Sequence, residues 1–423
     1  MREMRSGFAA LGIAAAVSAG SHLWSRPLGE PDPGLEMKIC SVAGHRSGMA
    51  LVAGSVAGKL ALDRPLTTSG GKDPFIAVLD SDGGPRQSLL LGGTGARTLA
   101  SAVFDPGGNL ILAGKFTGIL DFGGRRLAAP EPRASGGFVA RLDRNGQLQW
   151  LKQLTSDEPT SLIDIHGAAA DARGNVIVGG FVDGKRLFLD GAELGVASKF
   201  AFELDPAGRV VWSKSLEYGM ADTRPPVIDP SGNAIFAFVS ESLERIHVAK
   251  LDPSGNQIWW QKLGGGATQQ LTGLAVDSAG NILLSGRGGL GDPPPEGELD
   301  FIARLDPEGR VVTVRRGKKI AYAGVAVGDH DGVLIAGSAP PSTDWGTASV
   351  RGTGPRFVAR LDAGLRPVWV ARVEGDAGPS LAVGAIPGRA TLVAGSFRGP
   401  ITLGGRRIPG GAGENAFAAA LAP

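Results

Sequence analysis

Cysteine is almost missing from this sequence: one residue of 423, Cys40, which excludes a disulfide framework and a Cys-rich zinc site. Aromatic side chains are scarce at 6%, with two Tyr, too few for a surface of sugar-stacking platforms. Net charge is close to absent. Forty-three basic and 41 acidic residues leave +2, which supplies no global drive toward nucleic acid or an anionic membrane. Beyond the amino-terminal stretch no apolar run approaches the roughly 18 residues of a membrane-spanning helix, so no transmembrane segment is expected in the mature chain. What the sequence has in excess is turn chemistry, with 67 Gly and 28 Pro beside 43% hydrophobic residues. That combination excludes a disordered chain and points to many short strands joined by many turns.

The amino terminus has the layout of a secretory signal peptide. Arg2 and Arg5 precede an apolar stretch from Gly7 to Gly20 that ends in Val17, Ser18 and Ala19, small residues suited to cleavage after Ala19. The expected organisation is a signal peptide over 1–19 and a single domain over 20–423, placed in the periplasm, at the cell surface or outside the cell. The alternative for the stretch is a buried helix. A lone thiol in an exported chain reads as a small buried hydrophobe at Cys40.

Two motifs alternate along the rest, each seven times. The first opens with Phe and usually closes with Leu-Asp: it starts at Phe75, Phe138, Phe200, Phe301 and Phe357, with His247 in the Phe position of one copy and a degenerate last copy at Phe417. Phe75 and Phe417 lie 342 residues apart over six intervals, a mean period of about 57. The second is an apolar run that usually ends in Ala-Gly, such as Leu110 to Gly114 or Val333 to Gly337. Turns of the form Asp-Pro-x-Gly, as at Asp105, Asp205, Asp229, Asp252 and Asp306, specify type I geometry. A further strand after the turn that follows the Phe motif carries Trp150, Trp212, Trp259 or Trp369, followed by Lys152, Lys214, Lys262 or Arg372, cations expected to guard an outer edge.

Each unit is therefore a four-stranded meander, strands a to d. The inner three are apolar on both faces, which requires cover on both sides. The expected fold is all-β: a seven-bladed β-propeller of four-stranded antiparallel blades. The last repeat lacks strand d, and His22 to Arg26 resembles Val210 to Lys214. The amino-terminal strand is thus expected to complete blade seven, with Trp24 beside the carboxyl-terminal strand, and to close the ring.

The stretches Gly108 to Gly124, Phe138 to Trp150 and His247 to Gly265 resemble the secreted bacterial β-propeller repeats labelled SBBP, within the wider NHL-like group. The resemblance covers about residues 21 to 423. It implies an extracytoplasmic propeller and almost nothing about activity. Repeats four and five depart from it in the segment between strands b and c.

Catalytic strings fail on context. Gly286, Gly288 and Gly291 spell a nucleotide-loop pattern, but Pro293 to Pro295 follow where a helix is needed; Gly179 to Lys185 lacks the Ser/Thr of a P-loop. No catalytic residue, metal ligand or cofactor is assigned. One strand a position reads Cys40, Ala100, His166, Arg224, Thr272, Ala323, Leu381 around the ring, and Cys40, His166, Arg224 and Thr272 are candidates to line a central channel. Trp345 stands free of the strand d pattern and is a candidate platform. Arg64, Arg125, Arg126, Arg406 and Arg407 fall on b–c hairpins of blades one, two and seven, an arc suited to carboxylates or phosphates. The functional expectation is a monomeric, non-enzymatic binding or scaffold module for a protein or an anionic cell-surface polymer. The alternative is a propeller enzyme (lyase, hydrolase or quinoprotein-like) with its site at the channel mouth.

Overall fold

The computed structural model describes residues 20–423, except 31–33, 70, 132–133, 159, 196–197, 217–221, 241, 266–267, 291–298, 318 and 412; the expected signal peptide lies outside the described residues. No α-helix occurs among the described residues. Each repeat forms an antiparallel meander in the order a, b, c, d. In repeat one the strands are Glu36–Gly44, Ala50–Ala57, Asp73–Leu79 and Pro85–Leu90, and in repeat two Arg97–Phe104, Leu110–Phe116, Gly136–Leu142 and Leu148–Ser156. Repeats three and five are four-stranded in the same way, starting at Ile163–Ala170 and Gln270–Val276. Repeat four differs at its first strand, split into Asp222–Thr223 and Val227–Ile228. Pro225 and Pro226 stand in the gap, and proline has no N–H to give a ladder.

Repeats six and seven share one continuous strand, Pro367–Ile386, which is d of the first and a of the second. The last strand, Asn415–Leu421, pairs on one side with Ala390–Leu403 and on the other with His22–Leu28, in a register that sets Trp24 opposite Ala420 and Ser25 opposite Ala419. The first strands neighbour one another in chain order from Glu36–Gly44 through to Ala321–Val327, and Pro367–Ile386 lies against both Ala321–Val327 and Glu36–Gly44. This radial set of meanders is a β-propeller.

The repeat motif has a packing explanation. In six repeats the Gly of strand b lies directly across the ladder from the Phe of strand c: Gly54 from Phe75, Gly114 from Phe138, Gly180 from Phe200, Gly286 from Phe301, Gly337 from Phe357 and Gly395 from Phe417. All six Phe are fully buried, each contributing about 1.5–3 kcal/mol. A Cβ on Gly114 would come 2.1 Å from the Thr98 carbonyl and 2.9 Å from the Phe138 ring. Repeat four fills the same space differently. Phe238 faces His247, the rings stacked at 5.2 Å and 6°, and Trp260 Nε1 donates to His247 Nδ1 at 3.0 Å. Burial and the nearby Lys262 and Arg245 charges push the His247 pKa down, so it packs as a neutral ring.

Successive repeats are latched together at the outer strands. Trp150, Trp212 and Trp259 donate through Nε1 to the carbonyls of Pro206, Pro253 and Pro307, each in the c–d turn of the next repeat, at 3.0–3.1 Å. The left-handed Gly of each turn, Gly208, Gly255 or Gly309, lies against the indole. Gly83 of repeat one packs in the same manner against Trp24. A second link comes from the b–c hairpins. Ile119–Phe122 of repeat two pairs with Gly92–Thr94, the extension of strand d in repeat one. Leu187–Leu189 of repeat three pairs with the end of Leu148–Ser156, and residues near Leu403 pair with the end of strand d in repeat six.

These links correct the expected role of two strand d cations, Lys152 and Arg372, whereas Lys214 and Lys262 are exposed on their outer strands. Lys152 bonds Asp190 of the next hairpin at 2.9 Å, and Arg372 is buried and donates to the carbonyls of Ala339, Gly354 and Pro340. They fasten loops to the edge instead of standing free in solvent.

Candidate functional site

The inner edge of the sheets carries a recurrent irregularity. Cys40, Ala100, His166, Thr272 and Ala323 are each the extra residue of a bulge in strand a. A bulge re-aims its side chain out of the ladder alternation, and so these positions form one structural series. Leu381 does not belong to it. It pairs with Gly395 as Ile39 pairs with Gly54, one residue out of the expected alignment, and repeat seven has its irregularity earlier, between Ala377 and Leu381.

The series does not gather into one reactive cluster. Solvent reaches Cys40, which corrects the expectation of a buried hydrophobe. Protein still encloses its thiol, which lies 3.5 Å from the Ala53 carbonyl and 3.8 Å from that of Leu99, and this desolvation pushes the pKa up to about 12. A thiol held protonated is a poor nucleophile. The Thr272 hydroxyl shares a hydrogen bond of 3.0 Å with Ser285 on its own sheet. His166 and Arg224 do meet, in a small cavity walled by Phe200, Phe236 and Phe238. On its other side His166 lines a cavity of about 360 Å³ with Thr98, Lys115, Asp164 and Thr223. Lys115 and Asp164 are ion-paired across repeats two and three at 2.9 Å. That is a polar pocket holding an imidazole beside a neutralised pair.

Most other charged side chains in the interior hold sheets together. Arg97 pairs with Asp73, Arg141 with Asp105, Arg304 with Asp277, and Lys250 with Asp229 at 2.8 Å, all buried or nearly so. The last three place a strand c cation on the Asp of an a–b turn. Repeat three has Glu203 in that place, 3% exposed, bound by Asn175 at 2.7 Å. Burial pushes its pKa up, and the neighbouring Asp171 charge adds to the rise.

Trp345 is buried at 4% and packs against Phe357 at 4.8 Å, so it offers no platform, contrary to the sequence expectation. All five arc arginines are exposed. Arg125 and Arg126 face Phe122 and Asp121 across their hairpin, and Arg406 and Arg407 face Leu403 and Thr402. Neighbours in a strand point to opposite faces, so each hairpin gives any one surface a single Arg. Arg126 is bound to Asp121 at 2.9 Å, and burial, with the Arg406 charge as a smaller cause, lowers the His22 pKa.

Arg64 has company that sequence reasoning missed. It lines a cavity of about 360 Å³ with Arg86, Arg144, Gln87, Asn145 and the backbone at Gly146, while its own Nη2 donates to the Ser88 carbonyl at 3.0 Å. Asp63 also lines this cavity, but it is bound by the Ser88 hydroxyl. Arg144 sits in the c–d turn of repeat two, and that turn lies on Gln87 as the other turns lie on Trp. The latch therefore carries Arg144 to Arg64 and Arg86. A larger groove of about 590 Å³ lies beside the Arg126 hairpin, lined by Leu66, Leu90, Ile119, Asp73 and Asp121; it is open, and Asp73 is already taken by Arg97.

No family model matches the chain, and no curated protein matches it. Among solved structures it is similar to the Dos1 propeller, with 12% identity, 95% of this chain and 96% of that chain covered, and a TM-score of 0.49. It is similar to a protein of unknown function from Dyadobacter fermentans at 13% identity, 95% and 98% coverage and a TM-score of 0.42. An acylaminoacyl peptidase from Pyrococcus horikoshii gives 8% identity and 0.45, with 90% of this chain covering 54% of that enzyme. None of the three bears on activity.

Proposed function

We propose that the chain is an exported, seven-bladed β-propeller of the SBBP type, closed by pairing of its two ends, that serves as a non-enzymatic binding module for an anionic surface polymer. Closure is supported by the Trp24–Ala420 register and by the neighbouring first strands of repeats seven and one. Export is supported by the composition of residues 1–19. The observation that carries the binding reading is the cavity where Arg64, Arg86 and Arg144 meet. Guanidinium forks match carboxylate and phosphate geometry, and three of them around one concavity give a site where a polymer bearing such groups can seat.

The test is binding of polyglutamate and polyphosphate to the mature chain and to an Arg64→Ser/Arg86→Ser/Arg144→Ser variant. Salt-sensitive binding should be lost in the variant while the melt stays unchanged. Binding that survives the triple change, or an acidic protein patch captured where both polymers fail, would overturn the polymer reading. The second reading, an enzyme, draws on the His166, Asp164 and Lys115 cavity; a chromophore or stoichiometric metal copurifying with the native protein would favour it.

A further inference from the structure

Two of the cavities lie end to end along repeat one, whose b–c segment runs beside its own outer strand. At one end the Ser88 hydroxyl binds Asp63 and the Ser88 carbonyl accepts from Arg64; at the other, Ser69 Oγ donates to the Gly93 carbonyl at 3.1 Å. The Arg64 cavity takes in Asp63, Arg64 and residues 86–89 of these two stretches, and the open groove of about 590 Å³ takes in Pro65, Leu66, Leu90 and Gly92 just beyond. They are consecutive parts of one trough. From Arg86 to Thr94 the outer strand and its extension span about 26 Å, room for several units of a polymer.

The trough presents three chemistries in order. Arg64, Arg86 and Arg144 offer guanidinium forks to an acid group. Beside them the Asp63 carboxylate and the Gln87 and Asn145 amides line the same cavity. Amides both give and accept hydrogen bonds, and a carboxylate accepts several, so Asp63 keeps capacity beyond Ser88; together these groups match hydroxyls. Asp63 does not suit a bare anion. Polyphosphate has no donor for it and polyglutamate only backbone N–H groups, while both bring it like charge. Farther along, Leu66, Leu90 and Ile119 give the groove an apolar side, with Ile119 36% exposed, which an aliphatic C–H face can cover. Carboxylate, hydroxyls and a C–H face occur together on a uronic acid sugar. Among the described residues no aromatic ring lines either cavity, and the acid group supplies the hold that stacking would give a neutral sugar.

We propose that the polymer bound here is a polysaccharide of uronic acid units, lying along the outer strand of repeat one with a carboxylate on the three arginines, hydroxyls on Asp63, Gln87 and Asn145, and further units over Leu66 and Ile119. This rests on the anionic-polymer reading of the Arg64 cavity and narrows it to one chemical class.

The probes are hexagalacturonate and digalacturonate, compared with methyl-esterified hexagalacturonate and with glutamate and phosphate chains of six units, titrated into the mature chain. Hexagalacturonate should bind about ten-fold or more tighter than each of the others. Asp63→Ala should weaken hexagalacturonate and leave hexaglutamate as tight or tighter, an opposite response that a damaged cavity, weakening both, would not give. Ile119→Ser should weaken the hexamer and spare the dimer while keeping the wild-type melt. No binding of hexagalacturonate, equal binding of the ester, hexaglutamate or hexaphosphate, a dimer as tight as the hexamer, an Asp63→Ala loss shared by all probes, or an Ile119→Ser change that affects both sugars or neither would each overturn the sugar assignment. Arg64→Ser/Arg86→Ser/Arg144→Ser should abolish binding of every acidic probe; binding that survives it would instead sink the polymer reading itself.

Discussion

In repeat two a bare Gly114 lies across from Phe138, and a hairpin then runs out to cover the neighbouring outer strand; in repeat four Phe238 lies across from His247, and only a short turn joins strands b and c. The ladders are otherwise alike. What stays constant between the two is a filled volume beside the inner edge, supplied once by a ring on strand c and once by two stacked rings. What varies is the segment outside strand b, and there the exposed chemistry differs most. Inside, both members of the facing pair differ between the two repeats, whereas outside the hairpin alone differs.

Breaking the inside should therefore have the largest effect. Gly114→Val places carbon atoms on the Thr98 carbonyl and Phe138 ring and should cost about 3 kcal/mol or more, read by urea unfolding. A loss below about 1 kcal/mol would mean that the strands part easily there. Phe238→Gly alone should cost a similar amount by opening a cavity, and adding His247→Phe should recover part of it by recreating the pairing of repeat two. Simple additivity of the two changes would contradict the volume argument.

Repeat three sharpens the comparison through Glu203, which stands where repeats two, four and five have a cation. Burial, chiefly, holds its folded pKa above the ordinary glutamate range. The folded state thus holds this proton more tightly than the unfolded one, so ionisation costs stability as pH rises through that range, and the cost vanishes well below it. Glu203→Gln should raise the melting temperature at pH 8 and lose that gain toward pH 4. A gain independent of pH would assign the effect to packing. The smallest expected effect is at the latch: Trp150→Phe removes one hydrogen bond to Pro206 and should cost about 1 kcal/mol, while the equivalent change at Trp369, whose buried Nε1 has no partner among the described residues, should cost less.

The repeats were legible because Phe, Ala-Gly and Asp-Pro-x-Gly recur in one order, each a local requirement of strand or turn. The place of His22–Leu28 beside the last strand was legible from its likeness to Val210 to Lys214. The latches and hairpin pairings were not, because they join different repeats and leave no periodic mark within one. For the same reason Arg86 and Arg144 went unnoticed beside Arg64. Trp345 was misread since a loop position says nothing about whether the loop folds back, and Leu381 was misaligned because repeat seven moves its bulge.

The central claim, that the two ends pair to complete one sheet, is tested most directly by a cross-link. In a Cys40→Ser background, Ser25→Cys and Ala419→Cys place thiols on residues directly opposite in the ladder. Mild oxidation should give a bridge between positions 25 and 419 in the folded monomer, seen by mass spectrometry of the digest, and a higher melting temperature than the reduced form. Free thiols after oxidation, or bridges only between molecules, would contradict closure by this strand.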